Sequence, residues 1–374
     1  IGTCTFPIGD FKVNTYTTSN QKNPEVAMDG DGDFVIVWQS GSFASTNQDG
    51  HGYGIYAQRY DSSGSALGTE FRVNIYTTYG QKNPAIAMDS TGNFIIAWES
   101  NSQEGVFSSY GIYAQRYAST GSAIGSEFQV NTYTSNQQVK PSVAMDNSGN
   151  FIISWHSSQG GSGGYGVYAQ RYNSDGTTNG SEFRVNTYTT SNNANPSVVM
   201  DNSGNFIISW QSYQDGGSGT YGPCGIYAQR YNSDGSTNGS EFQVNTYTTG
   251  RQDVPSVAMD NNGNFVITWQ SNQGGGAGTF RGYGIYAQRY NSNGTPNDSE
   301  FNVNTHTTNR KETPSVAMDN DGNFVVTWYG VGTGDTYGIF AQRYGSTGSA
   351  IGSEFRVNTN SNTSTNSFYL NPSV

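Results

Sequence analysis

Residues 149–155 read Gly-Asn-Phe-Ile-Ile-Ser-Trp, and a closely similar frame leads into every tryptophan of the chain. Within it, Phe151, Ile153 and Trp155 occupy every second position. A period of two is typical of a β-strand, whose successive side chains point to opposite faces. The stretch therefore predicts a strand that recurs throughout the chain. The six tryptophans are Trp38, Trp98, Trp155, Trp210, Trp269 and Trp328.

Three further β-like runs accompany each tryptophan strand. In the third repeat the four runs span residues 141–146, 150–157, 166–172 and 182–186. The first two are joined by Asp-x-x-Gly-Asn, in which a glycine suits a tight hairpin, so consecutive strands should be antiparallel. One four-stranded unit cannot bury both of its faces alone, but stacked units can.

The repeat therefore predicts an all-β fold, a β-propeller of six four-stranded blades. The predicted divisions are an N-terminal segment, 1–23, with a spare outer strand, a propeller, 24–358, and a C-terminal segment, 359–374, as a closing strand. Because fourth-strand sequence also precedes the first full repeat, seven blades with an incomplete closing blade is the alternative.

Composition limits the partners. Charged residues make up 12% of the chain, the formal net charge is -11, and aromatic residues reach 14%. An acidic surface repels phosphate backbones, so nucleic acid is not an expected partner. No apolar run is long enough to span a bilayer, so membrane insertion is not expected either. Such aromatic content is typical of a folded chain rather than a disordered one.

The sequence resembles a tandem repeat found in large secreted bacterial proteins of the adhesin type. The resemblance rests on three motifs that run through nearly the whole chain: Gly-Asn-Phe-x-x-x-Trp-Gln-Ser, Gly-Tyr-Gly-Ile-Tyr-Ala-Gln-Arg-Tyr and Glu-Phe-x-Val-Asn-Thr-Tyr-Thr. It implies a secreted, extracellular or cell-surface setting, and it supplies no catalytic residues.

One arginine and one glutamate recur in each repeat, and we expect them to form structural ion pairs between the third and fourth strands. The alternative is a ring of anion sites. The residues are Arg59, Arg116, Arg171, Arg230, Arg289 and Arg343, with Glu70, Glu127, Glu182, Glu241, Glu300 and Glu354.

Acidic turns in the first and last repeats are the candidate metal ligands. Carboxylates at alternate positions suit Ca²⁺, although a full calcium loop needs more oxygen ligands and Asp is also an ordinary turn residue. No other cofactor is expected. The candidate residues are Asp29, Asp31, Asp33, Asp319 and Asp321.

The loop between the second and third strands varies most among the repeats and is the candidate ligand site. Variable loops on a rigid scaffold commonly carry binding, and amide groups beside aromatic rings suit sugars. The alternative is a connector that binds nothing. The candidate residues are the six tryptophans together with Tyr53, Tyr110, Tyr165, Tyr221, Tyr283 and Tyr337.

Two cysteines occur, Cys4 and Cys224, and a disulfide between them would fasten the N-terminal segment to the fourth repeat. Geometry decides whether two cysteines can pair, and spacing does not reveal it.

No catalytic residue is predicted, because no nucleophile–base set or metal-ligand cluster emerges and nothing in the sequence marks one repeat off from the others. The leading hypothesis is therefore a secreted, multivalent adhesion module, lectin-like in binding glycans or cell-surface polymers through avidity. The alternatives are a structural subunit that self-assembles through its terminal strands into a filament, sheath or surface layer, and a glycoside hydrolase.

Overall fold

In the computed structural model, residues 10–42, 48–105, 109–159, 164–214, 222–273, 282–307, 309–332, 337–359 and 371–374 are described. The predicted fold class is confirmed: the chain is an all-β propeller with six four-stranded antiparallel blades. No helix among the described residues is long and apolar enough to cross a lipid bilayer.

Strand order along the chain is also strand order in each sheet. The strands of blades 1 to 3 are β1 (Asn20–Met28), β2 (Phe34–Gly41), β3 (Tyr53–Tyr60), β4 (Phe71–Arg72), β5 (Gln81–Met88), β6 (Phe94–Asn101), β7 (Tyr110–Tyr117), β8 (Ala123–Gln129), β9 (Gln138–Met145), β10 (Phe151–Ser157), β11 (Gly166–Tyr172) and β12 (Phe183–Arg184). Those of blades 4 to 6 are β13 (Asn193–Met200), β14 (Phe206–Ser212), β15 (Gly225–Tyr231), β16 (Phe242–Gln243), β17 (Gln252–Met259), β18 (Phe265–Ser271), β19 (Gly284–Tyr290), β20 (Phe301–Asn302), β21 (Lys311–Met318), β22 (Phe324–Val331), β23 (Tyr337–Tyr344) and β24 (Ala350–Arg356).

Two compact units divide the chain. Unit one contains Ile1–Gln159 and Tyr168–Phe183, and unit two contains Gly160–Val167 and Arg184–Val374. Each unit is described by itself below.

The turn between the first two strands of a blade is held by its aspartate. In blade 3, Asp146 Oδ1 accepts hydrogen bonds from the backbone N–H of Ser148 (2.9 Å) and of Asn150 (2.8 Å). Gly149 has a φ of +80°, a conformation that an L side chain rarely adopts. The Asp-x-x-Gly-Asn motif therefore fixes the hairpin and with it the register of the two strands.

In unit one, apolar packing joins successive blades through opposite faces of their sheets. The face of blade 1 that carries Val37 and Ile55 packs on the face of blade 2 that carries Phe94 and Trp98. In unit two, Ile207 and Ile226 of blade 4 pack in the same way on Trp269 of blade 5. Both faces of an inner blade are covered, which explains why its strands carry bulky groups on both sides.

The tyrosine that ends Ala-Gln-Arg-Tyr lies between two phenylalanines. Tyr117 stacks on Phe94 of its own blade, with ring centroids 4.9 Å apart, and contacts the edge of Phe71 from the preceding blade at 5.6 Å. The repeat's aromatic residues therefore serve blade-to-blade packing, and aromatic pairs add about 0.5–1.5 kcal/mol each beyond the burial of area.

Candidate functional site

One end of each blade carries both the loop between strands two and three and the start of strand one. The register shows this directly, because Gln252 at the start of β17 pairs with Ser271 at the end of β18. We call this the loop end. The variable loops and the first residues of the first strands therefore occur together on the same end of each blade.

A bulge interrupts strand one just inside the loop end of every blade. The bulged residue has a left-handed backbone, which costs about 1–3 kcal/mol for a residue other than glycine. In blades 2, 3, 5 and 6 the N–H of the bulged residue donates to the side chain that follows the tryptophan of the preceding blade, as in Asn83 N to Gln39 Oε1 (2.9 Å) and Thr313 N to Gln270 Oε1 (2.9 Å). The bulged residues are Asn23, Asn83, Lys140, Asn195, Val254 and Thr313.

Val254→Asn is expected to stabilise the protein by about 1 kcal/mol, because a β-branched residue is strained at its φ of +53° and asparagine tolerates that region. Three other repeats already have asparagine there. The shift of the urea midpoint measures the effect. The reverse change in blade 4, Asn195→Val, should lower the midpoint by a similar amount. Equal midpoints for all three proteins would contradict the strain.

The repeat's symmetry is broken in unit two by a pair of Arg-x-acid sequences, one at the start of β17 and one at the start of β21. Arg251 donates through Nε to Asp253 Oδ2 at 2.6 Å, and its Nη2 lies 2.5 Å from the same oxygen. Arg310 forms the equivalent ion pair with Glu312. The expectation that no repeat is marked off from the others is therefore wrong. The sequence does contain the difference, since repeats one to four have no arginine at this position.

The arginine–acid cluster, as we call Arg251, Asp253, Arg310 and Glu312, holds its carboxyl groups largely away from solvent, Asp253 almost completely and Glu312 in part. Asp253 is only 3% exposed, and burial raises its pKa even though Arg251, Gln270 and Arg310 oppose the rise. Burial also raises the pKa of Glu312, with the charge of Asp253 adding to the effect and Arg310 opposing it. The influence of Asp253 on Glu312 means that the two ion pairs are electrostatic neighbours rather than separate features.

Tyrosine rings lie on and near the arginine–acid cluster, Tyr283 in direct contact and Tyr329 within reach of the charges of Glu312 and Arg310. The Arg310 guanidinium lies over the Tyr283 ring, 6.0 Å from its centroid. Tyr329 and Tyr337 stack with centroids 5.8 Å apart. Desolvation raises the pKa of Tyr283 to about 12, with the charge of Asp253 as a lesser cause, so this hydroxyl stays protonated at neutral pH. The cluster thus presents ring faces, guanidinium donors and carboxyl acceptors together.

Unit one carries a different charge at the same strand position. Lys82, in the place of Asp253 and Glu312, has its Nζ 5.5 Å from the centroid of the Tyr53 ring and 5.8 Å from that of the Tyr110 ring. These cation–π contacts keep the ammonium against two aromatic residues of the candidate set. The loop ends of different blades therefore share tyrosines but differ in charge.

The tryptophans and tyrosines of the candidate ligand set lie in different environments. Every tryptophan is at most 3% exposed and belongs to the core, which argues against direct ligand contact. Tyr53 and Tyr283 are largely buried, Tyr110 and Tyr165 are half-buried, and Tyr337 is 39% exposed. Tyr221 lies outside the described residues. Ligand binding by the tyrosines stays a prediction.

The predicted pairing of the repeat's arginine with its glutamate is wrong. Arg59 donates to the carbonyls of Ser119 (2.5 Å) and Thr120 (2.7 Å) in the next blade. Glu70 instead accepts from the N–H (2.7 Å) and the hydroxyl (2.9 Å) of Thr15, which precedes blade 1. Arg59 thus binds the blade that follows and Glu70 the segment that precedes, and none of the salt bridges found among the described residues joins these two sets.

The other members of the two sets behave in the same way wherever their bonds are described. Arg116, Arg230 and Arg289 donate to carbonyls of the following blade. The glutamates from the second repeat onward accept a backbone N–H from the preceding blade, namely Glu127, Glu182, Glu241, Glu300 and Glu354. Each of these glutamates thus links its own blade to the preceding one through a hydrogen bond.

The candidate calcium ligands form turns. Asp29 Oδ1 accepts from the N–H of Asp31 (3.0 Å) and of Asp33 (2.9 Å), and Asp319 Oδ1 accepts from Asp321 N at 3.0 Å. Within the described ranges, no three His, Cys, Asp or Glu side chains are placed together to hold a metal ion. The turns are explained by hydrogen bonding to their own backbone.

Cys224 is buried, and its Sγ donates to the Gln252 carbonyl at 3.1 Å. The disulfide with Cys4 stays a prediction. Cys4 lies outside the described residues.

Comparisons with known proteins agree on the fold and leave the activity open. No protein-family model matches the sequence, and no curated protein matches it. Among solved structures, a protein of unknown function from Dyadobacter fermentans is similar over 87% of this chain and 94% of its own, with a TM-score of 0.58 and 12% identity.

Two further similar structures are those of an arabinofuranosidase and a polysaccharide lyase. An α-L-arabinofuranosidase from Fusarium graminearum is similar over 88% of this chain and 94% of its own (TM-score 0.56, 11% identity). An ulvan lyase is similar over 89% of this chain and 84% of its own (TM-score 0.56, 11% identity). At such low identity the likeness establishes the propeller fold alone.

Proposed function

We propose that the chain is a secreted carbohydrate-binding propeller, and that the arginine–acid cluster with its tyrosines is its principal binding site. The observation that carries the proposal is the Arg251–Asp253 and Arg310–Glu312 pairs. They break the symmetry of the repeat at the loop end, beside Tyr283 and its neighbours. The resemblance to adhesin-type repeats supports an extracellular setting.

The chemistry of the arginine–acid cluster suits neutral, hydroxyl-rich sugars. Each guanidinium is offset by a carboxyl group, so the cluster has no excess positive charge to select an anionic sugar. Guanidinium donors and carboxyl acceptors match the two-way hydrogen bonding of sugar hydroxyls, and tyrosine rings match the apolar C–H faces. Arg310, with a side chain 38% exposed, is accessible to a ligand as well as to Glu312.

The tyrosines at the loop ends of other blades support multivalent adhesion. Tyrosines recur at the loop ends of several blades, so a polymer could engage secondary sites once it is held at the arginine–acid cluster. Linked weak sites raise overall affinity without any new kind of contact. A long polysaccharide should then bind more tightly than its own short fragments.

Affinity electrophoresis in gels containing neutral or acidic polysaccharides tests the proposal. We expect retardation by a neutral polymer, such as an arabinan, xylan or glucan, and at least a tenfold loss of affinity in Arg310→Ala. Gln137→Ala is the matched control, because Gln137 holds the same position in blade 3 without an acidic partner two residues on. Retardation by none of these polymers, or equal loss in both variants, would refute the proposal.

The same two carboxyl groups make glycoside hydrolysis the second candidate function, since paired carboxyl groups with raised pKa are the groups that such chemistry uses. Release of reducing ends from a retained polysaccharide separates the two functions. We expect binding without release, and release that is lost in Glu312→Gln would favour the enzyme.

A further inference from the structure

Residues 10–15 precede blade 1 in the chain. They contact blade 1 in the same way that the end of each blade contacts the blade after it. Phe11 meets the edge of Tyr60 at 5.4 Å and 62°, as Phe71 meets Tyr117 at 5.6 Å and 57°. Thr15 donates its N–H (2.7 Å) and hydroxyl (2.9 Å) to Glu70, with the same distances as Thr132 to Glu182. Residues 10–15 therefore reproduce the end of a blade that is not part of blade 1.

A second segment of the chain has almost the same sequence. Residues 10–15 read Asp-Phe-Lys-Val-Asn-Thr, and residues 354–359, at the end of blade 6, read Glu-Phe-Arg-Val-Asn-Thr. The acid, the base and the four remaining residues fall in the same order, so the two segments present the same contacts to a partner.

The apolar residues of the second segment are exposed. Phe355 is 44% exposed and Val357 is 48% exposed. The valines that end the other blades are only 2–4% exposed, because the following blade covers them: Val73, Val130, Val185, Val244 and Val303. The outer edge of blade 6 thus carries a face that the other blades bury.

We propose that residues 354–359 of one copy dock on blade 1 of a second copy, in place of that copy's own residues 10–15. The occupant follows from the match between the two segments. Tyr60 would receive Phe355 as it now receives Phe11, and Glu70 would receive Thr359 as it now receives Thr15. Exchange replaces one set of contacts by an equivalent set, since docked Phe11 is itself 49% exposed and the displaced residues 10–15 give up the cover that Val357 gains. The balance between the two occupants is therefore set by the protein concentration and by how firmly residues 10–15 are held.

Such docking is directional. Each copy carries one donor segment at its end and one acceptor at blade 1, so the interface joins unlike surfaces. Interfaces of this kind, when they do not close into a ring, propagate as linear assemblies. In the unmodified chain, residues 10–15 occupy the acceptor and compete with the donor segment of another copy.

Releasing residues 10–15 in the full chain tests the inference. Phe11→Asp with Val13→Asp should loosen the segment and raise the mass measured by light scattering from 40.3 kDa to at least double, increasingly so at higher protein concentration. Adding Phe355→Asp and Val357→Asp should return the mass to 40.3 kDa. The inference would be overturned if the double variant stayed at the mass of one chain, or if the quadruple variant still assembled.

A peptide-binding experiment on the unmodified chain tests the inference even if the double variant does not fold. A fluorescent peptide of residues 350–359 should bind the unmodified full chain saturably, as followed by anisotropy, and Glu70→Ala should weaken this binding at least tenfold. Glu241→Ala, the same glutamate in blade 4, is the matched control and should leave the peptide's affinity unchanged. Absence of peptide binding, or equal affinity for Glu70→Ala and the unmodified chain, would contradict the docking.

Discussion

Trp98→Ala is expected to destabilise the protein by about 3–5 kcal/mol, the cost of removing a large aromatic side chain from a core. Trp98 is completely buried between blades 1 and 2, where it packs with Val37, Ile55 and Tyr113. Alanine would leave a cavity that rigid sheets on both sides cannot close, so both the lost burial and the cavity contribute. Urea unfolding followed by circular dichroism measures the change.

Trp98→Phe is the control for that prediction. The indole Nε1–H of Trp98 is buried and has no hydrogen-bond partner among the described residues, so its burial already costs free energy. Phenylalanine removes this donor while it keeps an aromatic ring, and the loss should be well below that of alanine. A loss under about 1 kcal/mol for Trp98→Ala would mean that the blade interface is not tightly packed.

His156→Gln is expected to make the protein markedly more resistant to acid. His156 follows Trp155 and is almost fully buried, and this burial, with a smaller contribution from the charge of Lys140, lowers its pKa to about 3. Between that value and the unfolded pKa of about 6.5, the unfolded chain binds a proton that the folded chain does not. Stability contributed by the neutral ring is therefore present above pH 6.5 and is lost as the pH falls toward 3.

The expected size at pH 4.5 is about 2–3 kcal/mol of extra destabilisation in the unmodified protein, at 1.36 kcal/mol per pKa unit. Urea midpoints at pH 7 and pH 4.5 provide the measurement. Glutamine is the natural replacement, because Gln39, Gln211 and Gln270 hold the same place in other repeats. His306→Tyr, which restores the repeat's residue at a half-buried position, is the control. An unchanged acid dependence in His156→Gln would show that His156 becomes protonated without unfolding.

Much of the fold could be predicted because the residues that specify it recur in every repeat. The alternation through Phe151, Ile153 and Trp155 gives strand two, and Asp146 with Gly149 gives the hairpin that precedes it. Strand four was the least evident, since in blades 1, 3, 4 and 5 it is only two residues long, as at Phe71–Arg72. Its partner contacts lie in the neighbouring blade, beyond the reach of local pattern.

The site could be predicted only in part, because sequence places residues along a strand and not across blades. The sequence indicates the tyrosines of the loop end, but it does not reveal that Arg59 binds the following blade while Glu70 binds the segment before blade 1. The ion pair of Arg251 with Asp253 is not evident from local sequence, because only the fold shows that Asp253 is buried beside the bulge at Val254. The signal that the sequence does carry is that arginine occupies this position in the last two repeats alone.

The threonine–glutamate fastening between neighbouring blades has an evolutionary consequence. Each repeat supplies a glutamate that accepts from the blade before it and a threonine that donates to the blade after it. Both residues belong to the same short motif. A gene segment that is duplicated or deleted in frame at this motif yields blades that still fit their new neighbours. Recombination at this motif thus preserves the threonine–glutamate contact between whichever blades become neighbours, while the loops can diverge independently.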